Sequence, residues 1–296
     1  MNALFHQDII VAVLGSGSSG NATYIGDGHT GVLVDCGLST KQIRKRMDSA
    51  GLAGAPIDAV LVTHEHSDHV GAAAVLDRHL HKKTGRHIPY YMTYGTRRGL
   101  HPKVVPTHRQ RVHAGVPFQI ADWTVEPFSI PHDTADPVAY VVQIGEARVG
   151  VITDFGSPTR LIARQLASVD VAVLEFNHDQ TMLREGPYPW QLKQRIDGRH
   201  GHISNAVASD LMTDALGHGR LKQVVLAHLS DDNNTPELAL RAAHSAMQRA
   251  GVHDVGVDVG HKRHAIPPRR LQVPWNARPE EPVARVTGEP QMSLFG

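Results

Sequence analysis

Six consecutive residues carry most of the chemistry in this sequence: His64-Glu65-His66-Ser67-Asp68-His69. They follow an apolar run, Ala-Val-Leu-Val at 59–62, which reads as a buried strand. At a strand end, side chains two apart face the same way, so His64 and His66 can share one cation. Asp68 and His69 fall where the chain turns into the next helix, angled toward a second position. Imidazole nitrogens with a carboxylate oxygen suit zinc, manganese or iron. The bland alternative is a histidine-rich loop, since 21 of the 296 residues are histidine. An H-x-H-x-D-H run directly after a buried strand is improbable by chance even so.

Such a run needs a scaffold. Glycine-punctuated β-rich runs at 9–14, 21–25 and 31–35 open the chain, with a helix expected at 39–50 and another at 71–80. The second half alternates likewise, with strands expected at 123–130, 139–144, 148–153, 171–176, 223–228 and 255–259. Its helices are expected at 158–166, 189–195, 204–216 and 236–250. Two β-rich stretches, each followed by helices, imply a layered α/β sandwich. With 41% hydrophobic residues but only 5% aromatic, the core must be aliphatic. After residue 266 the periodicity stops, so residues 1–266 read as the folded domain and 267–296 as a disordered tail rich in Pro, Arg and Glu.

Composition excludes some classes. The single cysteine, Cys36, rules out an intramolecular disulfide and a thiolate zinc site, and agrees with a reducing cytoplasm. Residues 1–7 lack a secretory leader pattern, and no apolar stretch nears the roughly 20 residues of a membrane span. A soluble, cytoplasmic protein with no membrane partner is therefore expected.

The net charge of +1 points to no partner, but its distribution does. No acidic residue lies between Asp77 and Asp122, an interval holding nine Lys or Arg from Arg78 to Arg111, with Tyr90, Tyr91 and Tyr94. That block is either a solvated basic face or a positive field suited to a polyanion. The loop Gly15-Ser16-Gly17-Ser18-Ser19-Gly20-Asn21 is either a flexible hairpin or a phosphate contact through free N–H groups and the side chains of Ser18, Ser19 and Asn21.

The histidine run resembles the metal signature of the metallo-β-lactamase superfamily, which implies a four-layered αβ/βα sandwich and a hydrolase. The resemblance implies three further ligands, for which His132, Asp154 and His228 are the candidates. By carry-over His64, His66 and His132 hold one divalent ion, Asp68, His69 and His228 hold another, and Asp154 lies between them. Asp35 matches a position that supports a ligand histidine. Two such ions, zinc or manganese, would provide an activated water and stabilise charge on the substrate oxygen. Asp68 thus counts among the catalytic residues.

The Gly-Ser loop, Glu175–Asp179, Gly186–Pro189, Gly201–Asn205 and Ala227–Asn234 together resemble one bacterial subgroup, the YycJ/WalJ-like DNA exonucleases, from about residue 10 to 236. That resemblance implies 5′-to-3′ degradation of DNA, as single strands or from duplex ends. By analogy His202, Ser204 and Asn205 engage a terminal phosphate at a helix start, though Ser204 also suits simple capping. His178 lines the site or assists proton transfer, or is structural. No long insertion of the kind found in the RNA-processing branch is evident between Asp154 and His228.

The chain ends Gln291-Met292-Ser293-Leu294-Phe295-Gly296. This is similar to the Gln-Leu-Ser-Leu-Phe peptides that dock bacterial repair proteins on the polymerase sliding clamp, with Met292 in place of Leu. The resemblance implies that Leu294 and Phe295 fill an apolar pocket while Gln291 bonds at its rim. The leading expectation is a DNA exonuclease of repair or replication. Its rivals are a small-molecule hydrolase acting on a thioester, lactone or cyclic phosphodiester, and a non-catalytic clamp- or DNA-binding adaptor.

Overall fold

The computed structural model describes residues 6–274, and within them two seven-stranded sheets pack face to face. In chain order the first sheet takes β1 (His6–Gly15), β2 (Ala22–Gly26), β3 (Gly31–Val34), β4 (Ala59–Leu61), β5 (Tyr90–Met92) and β6 (Arg109–Arg111). The second takes β7 (Phe118–Ile120), β8 (Trp123–Ser129), β9 (Val138–Ile144), β10 (Ala147–Ile152), β11 (Val171–Glu175), β12 (Gln223–Ala227) and β13 (Gly256–Val259). The final strand, β14 (Arg269–Pro274), returns to the first sheet and pairs antiparallel with β1. β3 to β6 run parallel to one another, as do β10 to β13, while β3 pairs antiparallel with β2 and β10 with β9.

Side-chain alternation along the strands builds the layers. Ile9, Val11 and Val13 of β1 enter the cluster between the sheets, with Trp123, Tyr140, Val149 and Val173. Ala12 and Leu14 face the other way, toward Ile43, Met47, Leu76 and Leu80 of α1 (Thr40–Ser49), and of α3 (Ala73–Thr84), which follows the short α2 (Ser67–Val70). α4 (Tyr94–Gly99) follows β5. On the second sheet, Val171 and Val173 point inward. Ala172 and Leu174 point out, to a layer of α5 (Arg160–Leu166), α8 (Asn205–Gly217) and α9 (Pro236–Ala250). The result is a four-layered αβ/βα sandwich. Two short helices, α6 (Gln180–Glu185) and α7 (Trp190–Ile196), lie between β11 and α8 in the chain. None of the helices among the described residues is long and apolar enough to cross a membrane.

One boundary needs correction. Arg269–Pro274, expected to fall in a disordered tail from residue 267, forms β14 instead. As an edge strand it needs only sparse apolar content: Leu271 packs against the inter-sheet cluster, while Arg269 pairs with Asp258 and Arg270 with Asp8. Residues 291–295 lie outside the described residues.

Candidate metal centre

The chemistry-bearing residues sit where strands end. Asp35 follows β3, His64 lies just past β4, Asp154 just past β10, Glu175 closes β11 and His228 follows β12. Asp35, Asp154 and His228 adopt left-handed backbone, with φ of 62°, 63° and 56°. Three of the four non-glycine residues with positive φ among those described are therefore at this site. Such conformations cost on the order of 1–3 kcal/mol each and persist where surroundings enforce them.

Two ligand clusters meet there. His64 Nε2 lies 3.2 Å from His66 Nδ1, and His132 Nε2 lies 3.3 Å from the same atom. Nitrogens about 2.0–2.1 Å from a tetrahedral ion would be about 3.3–3.4 Å apart, so this spacing fits one ion. In the second cluster, Asp68 Oδ2 is 3.4 Å from His69 Nε2 and 3.6 Å from His228 Nε2. Asp154 joins them, with Oδ2 3.4 Å from His69 Nε2 and Oδ1 3.2 Å from His228 Nε2. It also groups with His64 and His69 within the reach of one ion.

The donor set fits cations. Asp154 Oδ2 and His228 Nε2 are buried without a hydrogen-bond partner, which is costly unless a cation takes their lone pairs. Burial and neighbouring imidazoles hold His64 well below its ordinary pKa, and burial lowers His132. Burial works to raise Asp154, but His228 and His69 prevail and hold it well below the usual carboxylate range. His64 and His132 are thus held neutral, as metal binding requires, whereas Asp154 and Asp35 overcome burial to raise His69 well above its ordinary pKa, so an ion bound there must displace its proton.

Outer contacts aim these ligands. Asp35 accepts from Thr63 N at 2.9 Å and from His69 Nδ1 at 2.7 Å, which turns His69 Nε2 toward the cluster. Thr63 Oγ1 donates to Asp35 and lies 2.9 Å from His64 Nδ1. His132 Nδ1 donates to Gly201 O at 3.2 Å, and Ser16 Oγ accepts from His228 N at 2.6 Å. Such partners fix tautomer and ring orientation. Gly37 lets the ligand loop approach, since a Cβ there would stand 1.6 Å from Asp68 O. Gly37→Ala is thus expected to displace Asp68 and His69 and reduce bound metal, read by elemental analysis of the purified protein.

The expected substrate residues divide. His202 and Ser18 line the pocket above the clusters. His202 Nδ1 donates to Glu175 Oε1 at 2.7 Å. Burial opposes charge on this ring, but Glu175 and Asp154 prevail and raise its pKa to about 9. Asn21 instead serves the ligands, donating to Asp68 Oδ2 at 3.2 Å. Ser19 is exposed but is not part of the pocket wall.

Three expectations are corrected. Ser204 is buried and caps α8, accepting from Val207 N. Asn205 is buried and exchanges amide hydrogen bonds with Asn234, at 2.9 and 3.0 Å. Neither reaches the pocket, because capping and packing of α8 consume their polar groups. His178 is fully buried, with Nδ1 3.3 Å from Asn177 Oδ1 and Nε2 3.5 Å from Asp197, so it underlies the wall rather than facing substrate. Asn234 also donates to Phe176 O and Asn177 O at 2.8 and 3.0 Å. Asn234→Ala would strand those groups, and urea unfolding should find a loss of about 1–3 kcal/mol.

Several residues of the site carry no local signal of their role in the sequence. Glu175 is fully buried and accepts from both Phe155 N and His202. Asp133, Tyr188, Leu192, Arg195, Ile196 and Ser230 complete the pocket wall. The basic interval supplies an exposed Tyr94 whose ring is flanked by the guanidinium groups of Arg98 and Arg111, at 5.9 and 5.0 Å.

Comparison with known proteins agrees with this geometry. A model described as a beta-lactamase superfamily domain matches residues 30–229. The chain is 33% identical over 261 residues to exodeoxyribonuclease YycJ of Bacillus anthracis, covering 87% of this chain and 95% of that one. It is 33% identical over 263 residues to exodeoxyribonuclease WalJ of Streptococcus pneumoniae, covering 87% and 94%. Among solved structures, the metallo-beta-lactamase fold protein YhfI of Bacillus subtilis superposes with a TM-score of 0.64 at 18% identity, covering 88% of this chain and 99% of that one.

Proposed function

Because the chain belongs to the beta-lactamase superfamily, and within it to the group of exodeoxyribonucleases YycJ and WalJ, we propose that this metal-dependent hydrolase degrades DNA from the 5′ end. The observation that carries the reading is the pair of ligand clusters joined at Asp154, in a chain that matches those nucleases along 87% of its length. His64, His66 and His132 hold one divalent ion, and Asp68, His69 and His228 hold the second. Asp154 serves both. Mixed imidazole and carboxylate ligands suit zinc or manganese.

When bound, the ions supply an acidified water and draw off charge that builds on the phosphoryl oxygens. The chain's own residues do the rest. Asn21 and Asp35 keep Asp68 and His69 in position. His202 donates Nδ1–H to Glu175, leaving Nε2 for the pocket that the ring lines. From there it delivers a proton to the 3′ oxygen as the P–O3′ bond breaks. The water oxygen takes the place of O3′ on phosphorus, so the released nucleotide leaves with a new 3′ hydroxyl and the shortened strand begins with a 5′ phosphate.

The test is digestion of 5′-phosphorylated single- and double-stranded DNA with Mn²⁺ or Zn²⁺, comparing the natural sequence with Asp68→Ala. Metal-dependent loss of nucleotides from the 5′ end, abolished by the substitution, supports the reading. Turnover of a thioester or lactone with every nucleic acid left intact sinks it.

The C-terminal peptide, outside the described residues, adds a partner to this reading: Gln291-Met292-Ser293-Leu294-Phe295 docks on the bacterial sliding clamp and tethers the enzyme near its substrate. A 291–296 peptide should bind purified clamp in fluorescence anisotropy, and Leu294→Ala or Phe295→Ala should remove the binding. Equal binding by all three peptides would contradict it. With Cys36 as the single cysteine, a cytoplasmic setting suits both activities.

A further inference from the structure

Beside the ligand clusters, the pocket is lined by Leu192, Arg195 and Ile196 of α7 and by Tyr188, two residues before it. We propose that this wall seats the 5′-terminal nucleotide and that Arg195 reads its 5′ phosphate, an inference that rests on the DNA-end reading above. The cleft measures about 390 Å³. That is near the lower end of the roughly 300–1,000 Å³ usual for single-ligand sites, which is room for one nucleotide rather than several.

Arg195 is held for such a task. Its Nε and Nη2 donate to Asp133 Oδ2 at 2.8 and 2.6 Å. A guanidinium carries five N–H groups, so the remaining ones stay available, including both on Nη1. The side chain is 64% exposed and lines the pocket. Asp133 Oδ1 in turn lies 3.5 Å from His132 Nε2, which ties the guanidinium to the edge of the first ligand cluster. A phosphate one nucleotide away from the bond under attack would meet a planar, pre-aimed fork, the geometry that phosphate favours.

The rest of the wall suits a sugar and base. Tyr188, Leu192 and Ile196 present apolar surface to the pocket. The Tyr188 hydroxyl donates to Asp232 at 2.5 Å, which fixes the ring as a stacking face. Ser204 and Asn205, the residues first expected to take this phosphate, are buried and spent inside the fold. Lys193, on the same helix, bonds Arg184 O and lines a different depression, which makes it a charge-matched control.

The experiment compares kcat/KM of the metal-loaded enzyme on one DNA carrying either a 5′ phosphate or a 5′ hydroxyl, for Arg195→Ala, Arg195→Lys and Lys193→Ala. The natural sequence should prefer the phosphorylated end. Arg195→Ala should lower turnover of that end by about 10- to 100-fold, the worth of a charge-assisted contact, and far more than for the hydroxyl end. Arg195→Lys should recover part of the preference, and Lys193→Ala should keep it. An equal loss on both ends overturns the assignment, because Arg195 would then act only through Asp133. Binding of the two oligonucleotides to metal-stripped protein by anisotropy separates this claim from catalysis. A tighter grip on the 5′-phosphorylated one that Arg195→Ala abolishes supports the subsite even if no DNA is cut, whereas equal binding overturns it.

Discussion

Replacing Asp154 by alanine is expected to strip both ligand clusters of metal and to lower nuclease turnover well beyond the roughly 10–100-fold typical of losing an outer partner. The residue is 2% exposed, and its two oxygens reach His69 and His228 at 3.4 and 3.2 Å. Removing it deletes the one carboxylate that both clusters share and leaves neighbouring imidazoles facing each other. Asp154→Asn keeps the shape and removes the charge, so it should fall in the same direction. Elemental analysis and circular dichroism read the outcome together: folded protein with less than half the metal of the natural sequence. Full metal content in Asp154→Ala would contradict the arrangement.

Glu175→Gln should separate proton delivery from metal binding. Glu175 is fully buried and touches no ligand more closely than 3.8 Å, the distance to His228 Nδ1. Its strong contacts go to Phe155 N at 3.0 Å and His202 Nδ1 at 2.7 Å. The amide keeps the volume but loses the charge that aims and supports the imidazole. A fall in kcat of about 10²–10⁴-fold is expected, the usual span for a positioned acid or base. Bound metal and KM should change little. A matching loss after His202→Ala, with no further loss in the double variant, would identify the two as one unit. Full kcat in either single variant would remove His202 from the mechanism.

The parts of this site that could be read in advance were the local ones. The H-x-H-x-D-H run is legible because a strand end and a helix start bring its ligands together within six residues. Asp154 and His228 also follow apolar strands, but their place among the ligands comes from the resemblance to the metallo-β-lactamase superfamily, since a buried apolar run marks a strand end without saying what meets there. Glu175 closes a strand in the same way, yet its role depends on His202 and on Phe155, and only tertiary packing joins those. Asp133 and Arg195 meet across 62 residues of chain, with no periodicity to link them. Ser204 and Asn205 misled because capping a helix and binding phosphate call for the same residue types; burial decides between the roles. β5, β6 and β7 are three residues each, too short to register as an alternating pattern. β14 hid in a Pro- and Arg-rich segment because an edge strand needs few buried side chains.

If the proposed function holds, metal loading and DNA-end cleavage are one property of one site. The most direct measurement is titration of chelator-stripped enzyme with Zn²⁺ or Mn²⁺ while release of the 5′-terminal nucleotide from labelled DNA is followed. Release should be absent from the stripped enzyme, rise to a plateau at two ions per chain, and stay absent from Asp68→Ala at every loading. Release by the stripped enzyme, or none at any loading of the natural sequence, would contradict it.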